Sequence, residues 1–224
     1  MAGSERVLRH VAETLNATTD AEAAIAAILP HLSEALGLRT AWVFRYDPVL
    51  RQFREVAAAA LPPALAAGGG EPLRQGSCEC QRRFLKGELL HAVNIVTCSR
   101  LRDAVGDRQG LERHASVALV TGERALGILN VAAPGRHRFS QRALAMAEAV
   151  AGQVSVAIDR SDLLRARELR IARLREASEG GHRMLEAEGE DELWSTAVRE
   201  AARVTEAPFA ALVRGGEVVA RWEG

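Results

Sequence analysis

The sequence predicts an α+β fold, in which helices flank an antiparallel β-sheet and a long projecting C-terminal helix follows it. Strand-like segments occur in pairs around turn residues, and segments with helical spacing of apolar residues precede and follow them. A segment without proline then runs from Ser140 to about Ser178. Because strands joined by short turns pair antiparallel, these observations favour one sheet with helices packed on it.

The first forty residues are predicted to form two helices. Apolar residues recur at three- and four-residue steps, namely Val7, Leu8, Val11 and Leu15 in the first helix and Ile25, Ile28, Leu29, Leu32 and Leu36 in the second. This spacing places them on one face of each helix. Thr19 and Glu22 suit a capping box at the start of the second helix, and Gly37 suits its end.

The next segments alternate like strands. Residues 40–46 and 52–58 are predicted to form a hairpin around Asp47-Pro48. Residues 61–76 contain two adjacent prolines and a run of three glycines, so we expect a loop there. Ser77 is suited to cap a short helix that continues through Lys86 and ends at Gly87.

A second hairpin is predicted further along the chain. Residues 89–96 alternate loosely as a strand, and residues 97–111 are polar and irregular. Residues 116–121 and 125–132 are predicted to form two strands around Gly122-Glu123, a dipeptide suited to a tight turn. Together with the first hairpin, they give enough strands for a stable sheet.

The long helix is predicted to pair with a second copy of itself. Val150, Ala157, Leu164 and Ile171 fall seven residues apart, and Val154 lies on the same face. Such a seven-residue repeat is typical of paired helices. Since the helix is longer than a small domain, its far half should project and support a homodimer.

The pattern of the N-terminal region then begins again. A shift of 169 residues lays Ile25, Leu29, Ala41 and Val43 over Trp194, Val198, Ala210 and Leu212. We therefore expect an N-terminal helix at 1–19, a sensor domain at 20–160, a signalling helix or linker at 161–185, and the truncated start of a second, similar domain at 186–224. Two strands are too few to bury a sheet face, so the chain is expected to be a fragment of a longer protein.

Charge and composition exclude several classes of function. The 224 residues carry 29 basic and 29 acidic side chains, so the formal net charge is zero. This balance removes the basic footprint of nucleic-acid binding or of a polybasic membrane anchor. The apolar stretches are too short to span a membrane, and the N-terminus lacks the apolar core of a secretion signal. We expect a cytoplasmic protein that binds neither nucleic acid nor membrane.

The second hairpin carries a family resemblance. The run from His114 to Val120 and the run from Gly122 to Ala132 resemble the last sheet hairpin of GAF domains. Phe139-Ser140 and the segment from Ala157 to Leu163 resemble the start and finish of that family's closing helix. The resemblance implies a small-molecule or redox sensor that signals through dimeric helices to a downstream output domain or partner signalling protein, such as a histidine kinase, a cyclase or a transcription factor.

Three cysteines form the main candidate site. Cys78, Cys80 and Cys98 fall in the part of the chain that, by resemblance, borders the ligand pocket. Cys78 and Cys80 would occupy the first turn of the short helix behind Ser77, where the helix dipole favours thiolate, and Arg82, Arg83 and Arg100 would add positive charge nearby. Because thiolates bind soft metals, we expect these cysteines to hold an iron-sulfur cluster or zinc.

The fourth ligand and the rival functions stay open. His114 is the best fourth ligand because it begins the neighbouring strand; His91, Asp103 and a non-protein ligand are the other candidates. The cysteines could instead form an unligated thiol sensor. They could also be buried packing residues, in which case the domain would bind a small molecule without using them. The resemblance also offers a free methionine sulfoxide reductase, but no paired acids accompany Asn130, so no catalytic residue and no enzyme is expected. The sequence lacks the motifs with which members of the family attach bilins or bind cyclic nucleotides. Binding of a purine stays open.

Overall fold

The computed structural model describes residues 2–35, 39–74, 78–95, 98–135 and 138–224. The predicted cap at Ser77 and the predicted helix end at Gly37 lie outside these described residues. The chain divides into two compact units, Met1–Asp162 and Leu163–Gly224.

The first unit is built on a five-stranded sheet. Its strands are β1 (Thr40–Asp47), β2 (Gln52–Ala59), β3 (Val93–Ile95), β4 (His114–Thr121) and β5 (Arg124–Ala132). They lie in the order β2-β1-β5-β4-β3, and each neighbouring pair is antiparallel. The predicted fold class and both predicted hairpins are confirmed, although β3 is shorter than the strand expected at 89–96.

Helices cover both faces of this sheet. On one face lie α1 (Ala2–Asn16), α2 (Ala21–Ala35) and the first part of α6 (Gln141–Leu185). On the other face lie α3 (Pro63–Arg74), α4 (Glu79–Leu85) and α5 (Ser99–Asp103). Because successive residues of a strand point to opposite faces, the alternating apolar residues of β1 and β5 supply both cores. Val43 and Leu129 belong to the first, and Phe44 and Ile128 to the second.

The start of α2 differs from the sequence prediction in its capping residue. Asp20 Oδ1 accepts hydrogen bonds from the backbone N–H groups of Glu22 and Ala23, both at 3.1 Å. Thr18 Oγ1 accepts from the Asp20 N–H group at 3.0 Å. A carboxylate satisfies two free amides of the first turn at once, so Asp20 takes the role that was expected of Thr19.

The predicted loop at 61–76 is instead a broken helix. Helical structure begins at Pro63, whose fixed φ suits a first helical turn. From Ala67 to Gly70 the backbone leaves helical geometry, with φ of +57°, +67° and +90° at the three glycines. The prediction was wrong because Leu65 and Leu73, both fully buried, hold the two helical pieces against the sheet. The three glycines adopt positive φ values and form the break between the two helical pieces.

Two further helices carry the cysteines. The N-cap of α4 is Cys78 itself, and the helix ends at Leu85 with Lys86 as C-cap, so the predicted extent was nearly right. The segment expected to be irregular contains α5, whose N-cap is Cys98. Leu101 of this helix is fully buried, which explains why a short, polar stretch folds as a helical turn against the sheet.

The long helix α6 is continuous for 45 residues, so it extends through Gly180-Gly181, beyond the end expected near Ser178. Gly180 is needed because a Cβ atom there would lie 3.1 to 3.2 Å from the side chain of Glu200. Val150, Val154 and Ala157 of the expected dimer seam are buried in the core of the first unit. Only Leu164 and Ile171 are left partly accessible.

The second unit repeats the opening of the first. It contains α7 (Glu190–Thr205) and the antiparallel strands β6 (Phe209–Arg214) and β7 (Glu217–Glu223). This helix and hairpin fall where the internal repeat predicted them. Within the described parts of the chain, we find no helix with the length and apolar character needed to cross a membrane.

Candidate functional site

All three cysteines lie in one buried layer between the sheet and the helices α4 and α5. Cys78, Cys80 and Cys98 are 2%, 0% and 3% exposed. They belong to the same apolar cluster as Trp42 and Phe44 of β1, together with Ile95, Leu101, Leu111, Ile128 and Ala132. We call this cluster the cysteine layer. The three cysteines are therefore buried in one region beside the sheet, as the sequence analysis expected.

The two short helices position the sulfur atoms. Cys78 and Cys98 each precede the first turn of a helix, and their carbonyl groups accept the first helical hydrogen bonds, from Arg82 and Arg102. Cys80 follows Cys78 within the first turn of α4. The Sγ atoms of Cys78 and Cys80 are 2.7 Å apart, and all three cysteines are free thiols.

The thiols differ in acidity. The hydrogen bond between the Sγ atoms of Cys78 and Cys80 is the largest influence on Cys78. Together with the backbone N–H of Gln81 and the Arg100 cation, it lowers the pKa of Cys78 to about 6, although burial acts in the opposite direction. The same contact and burial raise the pKa of Cys80 well above its ordinary value. Burial raises the pKa of Cys98 to about 11. Cys78 is therefore the most acidic of the three thiols.

Arg100 supplies the positive charge beside the sulfur atoms. The residue is 7% exposed, and its Nη2 donates to Gln81 Oε1 at 3.0 Å. Its guanidinium carbon lies 5.0 Å from the centre of the Phe44 ring. Arg82 and Arg83, which were also expected to contribute, bind Glu79 at 2.6 and 2.9 Å at the surface. One of the three expected arginines thus reaches the cysteine layer.

His114 lies on the same face of the sheet. It pairs across strands with Ile95 and Ala132, two members of the cysteine layer, and its ring centre is 5.4 Å from that of Trp42. Cross-strand neighbours share a face of the sheet, so the imidazole faces the layer. Complete burial and Arg100 lower the pKa of His114 to about 3, which makes the ring neutral. Among the described residues, neither ring nitrogen has a hydrogen-bond partner.

The other candidate ligands lie elsewhere. His91 is 85% exposed, with Nδ1 3.6 Å from Glu148 Oε1. Asp103 is exposed and forms an ion pair with Arg102 at 2.7 Å. Among the residues that the structure describes, no three His, Cys, Asp or Glu side chains are arranged as the ligands of a single ion.

A buried polar pair on the same face was missed by the sequence analysis. Ser116 Oγ donates to Asn130 Oδ1 at 2.7 Å, across β4 and β5. The Nδ2 group of Asn130 and the Nε1 group of Trp42 are buried without a hydrogen-bond partner among the described residues. The signal was available: Ser116 and Asn130 are polar residues inside apolar strands, at the positions that alternate toward the cysteine layer.

Ion pairs join this sheet to the closing helix. Arg45 of β1 binds both Asp162 of α6 and Glu22 of α2. Arg124 of β5 binds Asp159, one turn before Asp162 on α6. These contacts connect one end of the inner strands β1 and β5 to the last residues of the first unit.

The sequence profile of the GAF domain matches residues 18–159, more than half of the chain. The chain belongs to the GAF domain family. The GAF domain covers the five-stranded sheet, the cysteine layer and the first part of α6. The resemblance carried by the second hairpin is thereby confirmed.

Relatives of this GAF domain include a sensor kinase. The chain is 35% identical over 162 residues to the sensor histidine kinase YhcY of Bacillus subtilis, a match that covers 70% of this chain and 42% of that protein. The chain therefore spans less than half of this curated relative.

Solved structures share its fold. The GAF domain of a phosphoenolpyruvate-protein phosphotransferase from Coxiella burnetii has a TM-score of 0.59 at 19% identity, covering 74% of this chain and 98% of that one. A bacteriophytochrome from R. palustris has a TM-score of 0.64 at 12% identity, covering 100% of this chain and 50% of that one.

Proposed function

We propose that this chain is the sensing part of a signalling protein whose GAF domain uses Cys78, Cys80, Cys98 and His114 to hold an iron-sulfur cluster or a zinc ion. The observation that carries the proposal is the burial of three thiols and a neutral histidine on one face of one sheet. The signal would be oxygen, nitrogen oxides or redox state. The 35% identical sensor histidine kinase supports an output through a kinase.

The types of donor atom, rather than their present arrangement among the described residues, suit such a centre. Thiolate sulfur is the ligand type of iron-sulfur clusters and of many structural zinc sites, and a neutral imidazole is a suitable fourth ligand. Cys78 is already acidic, and binding of a cation would favour deprotonation of Cys80 and Cys98 as well. The unpartnered nitrogens of His114 would gain a partner, which offsets part of the free energy that their burial costs.

The residues around the sulfur atoms have distinct roles in this proposal. A bound centre would supply a group that responds to oxidants or to diatomic gases. Arg100 balances the negative charge of the thiolates, and its bond to Gln81 fixes its position. Phe44, Leu101 and Leu111 exclude water from the layer. Loading would draw the sulfur atoms and the imidazole closer together, which would move α4 and α5 against the sheet.

The movement has a route to the output. The sheet contacts α6 through the pairs from Arg45 to Asp162 and from Arg124 to Asp159. A change in the sheet therefore biases the position of α6 at the end of the first unit. In a homodimer paired along the exposed part of α6, that bias would reach a downstream output domain. The partly accessible Leu164 and Ile171 support this pairing.

The test is anaerobic purification of the chain, with iron, acid-labile sulfide and zinc measured per chain before and after reconstitution. We expect a defined metal content in the native chain and its loss in Cys80→Ala. His114→Ala should lower the content or change the visible spectrum. His91→Ala is the matched control, since His91 is exposed and should leave both unchanged. Protein that stays free of metal after anaerobic reconstitution would remove the proposal.

A second candidate is a small-molecule-binding GAF domain with structural cysteines. The observation that favours it is the buried pair Ser116 and Asn130, with unpartnered donors on Asn130 and Trp42 among the described residues. Buried donors of this kind are rarely left unsatisfied, so a bound polar molecule would explain them. Metal-free protein whose melting temperature rises with a small polar compound, but not in Asn130→Leu, would favour this candidate. Turnover of free methionine sulfoxide with a thiol reductant would instead favour the reductase alternative.

A further inference from the structure

A pocket rich in arginine opens beside the cysteine layer, and its inner residues Arg100 and Gln81 are shared with the metal proposal. Its volume is about 310 Å³, and it lies between the start of β2, the end of α3 and the helices α4 and α5. Four guanidinium groups line it, those of Arg51, Arg74, Arg82 and Arg100. We call it the arginine pocket. None of the described residues that line it is acidic.

Arg100 forms the buried end of this pocket. Its Nη2 donates to Gln81 Oε1 at 3.0 Å, and its Nη1 donates to the carbonyl oxygen of Pro72 at 3.4 Å. The guanidinium carbon also lies 5.0 Å from the centre of the Phe44 ring. These contacts hold the cation in one orientation, so little conformational entropy is lost when it binds a ligand.

The other three arginines stand around the opening. Arg51 lies in the turn before β2, is exposed, and has no hydrogen bond or ion pair with the described residues. Arg74 donates to the carbonyl oxygens of Gly69 and Gly68 at 2.8 and 3.3 Å.

Two carboxylates approach these arginines from outside the pocket. Glu55 lies 4.0 Å from Arg74, and Glu79 lies 2.6 Å from Arg82. Within the described part of the chain, these two carboxylates and the acidic thiol of Cys78, which interacts with Arg100, face four cations, so positive charge is left in excess at the pocket.

The walls indicate the kind of molecule that fits. Gln52 and Gln81 add amide groups, while Phe53 and Leu85 form an apolar wall. The volume is at the small end of pockets that bind organic ligands and exceeds what a bare inorganic ion fills. Guanidinium groups bind phosphate and carboxylate in a bidentate manner.

We propose that the arginine pocket binds a small organic anion, whose phosphate or carboxylate group contacts the arginines and whose apolar part lies on Phe53 and Leu85. The proposed metal ligands do not line this pocket, although its buried residue Arg100 also interacts with Cys78. Its occupancy would press on α4 and α5, the helices that carry the cysteines, so the anion would act as a second input to the same domain.

Calorimetric titration of the chain with four probes tests the proposal. Phenyl phosphate and benzoate carry the anionic group and an apolar ring, inorganic phosphate carries the group alone, and benzyl alcohol carries the ring alone. We expect one phenyl phosphate or benzoate per chain, weaker binding of inorganic phosphate and no binding of benzyl alcohol. The tighter binder of phenyl phosphate and benzoate shows whether the pocket prefers a phosphate or a carboxylate group. Because surface electrostatics are screened, affinity should fall as salt rises.

Variants locate the site. Arg51→Gln and Arg82→Gln should each weaken binding about tenfold, the effect of one lost charged hydrogen bond. Arg9→Gln removes the same charge from the exposed surface of α1 and should leave binding unchanged. Arg100→Gln should weaken binding most. If that variant does not fold, the results for Arg51→Gln and Arg82→Gln test the proposal.

Two results would overturn the proposal. One is no saturable binding of any anionic probe at millimolar concentration. The other is an equal loss in Arg9→Gln and Arg51→Gln, which would mean attraction to general charge. Cys80→Ala should bind phenyl phosphate as the native chain does, so failure of the metal proposal and failure of this one are distinguishable.

Discussion

Asp162 of α6 forms an ion pair with Arg45 of β1, and both side chains are only about one-fifth exposed, at 22% and 18%. Arg45 also reaches Glu22 of α2 at 3.4 Å. One cation therefore connects the sheet with two helices, at the residue where the first compact unit ends. Partial burial makes this pair stronger than an ion pair at the open surface.

Asp162→Asn should lower the free energy of unfolding by about 1 to 2 kcal/mol, because it leaves a partly buried guanidinium with one carboxylate fewer. Urea denaturation of Asp162→Asn, Arg45→Met and the double variant measures the coupling between the two residues. Glu13→Gln is the control: it removes one partner of the exposed pair with Arg9 and should cost less than about 0.5 kcal/mol. Additive losses in the double variant would contradict the coupling.

The buried histidine predicts a pH dependence of stability in metal-free protein. The pKa of His114 is lowered from 6.5 to about 3 in the fold, so the unfolded chain takes up a proton below pH 6.5 while the native chain does not. Stability from this residue is present above pH 6.5 and is lost as the pH falls toward 3. Between pH 6.5 and 5.5 the loss should be about 1 kcal/mol.

The comparison of two histidine variants isolates this effect. His114→Phe removes the proton uptake and should flatten the curve of stability against pH, measured by denaturation between pH 5.5 and 7. His91→Gln alters an exposed histidine and should leave the slope of the native chain in place. An unchanged slope in His114→Phe would show that another group is responsible.

Gly127 should tolerate no side chain. It lies in β5 opposite Arg45 of β1, and a Cβ atom there would overlap the carbonyl oxygen of Phe44 and come within 3.1 Å of the Arg45 Cα. Since backbone cannot move aside as a side chain can, Gly127→Ala should destabilise the fold by at least about 2 kcal/mol. Thermal unfolding provides the measurement.

Gly152→Ala is the matched control for that substitution. Gly152 lies in α6 with nothing within 4 Å of the added carbon, so alanine should stabilise the helix by up to about 1 kcal/mol. Similar destabilisation by both alanine variants would refute the steric argument for Gly127.

Leu164→Asp should shift the chain from dimer to monomer in light scattering. The residue lies on the seven-residue repeat of α6, where a charge would be buried between paired helices. Leu163→Asp is the control, because Leu163 is 59% exposed and lies off that repeat. An unchanged mass in Leu164→Asp, or an equal effect of both variants, would count against this seam.

Local patterns were sufficient for most of the fold. Alternation of apolar residues and the turn at Gly122 predicted β4 and β5, and helical spacing predicted α1 and α2, because side-chain periodicity is a local property of the chain. The internal repeat predicted α7. The broken helix α3 was not predictable in this way. Leu65 and Leu73 fold that segment only because the sheet provides a surface on which to bury them.

The candidate site, too, was predictable from the sequence only in part. The sequence by itself determined which residues are available: three thiols, two of them at the start of one short helix, and a histidine that opens a strand. Only the tertiary structure decided that His114 is neutral and faces Trp42, that Cys78 is the acidic thiol, and that Arg100 is buried beside it. Acidity depends on burial and on charges from distant parts of the chain, and neither is encoded in local spacing. The four arginines of the pocket come together for the same reason, from four separate elements.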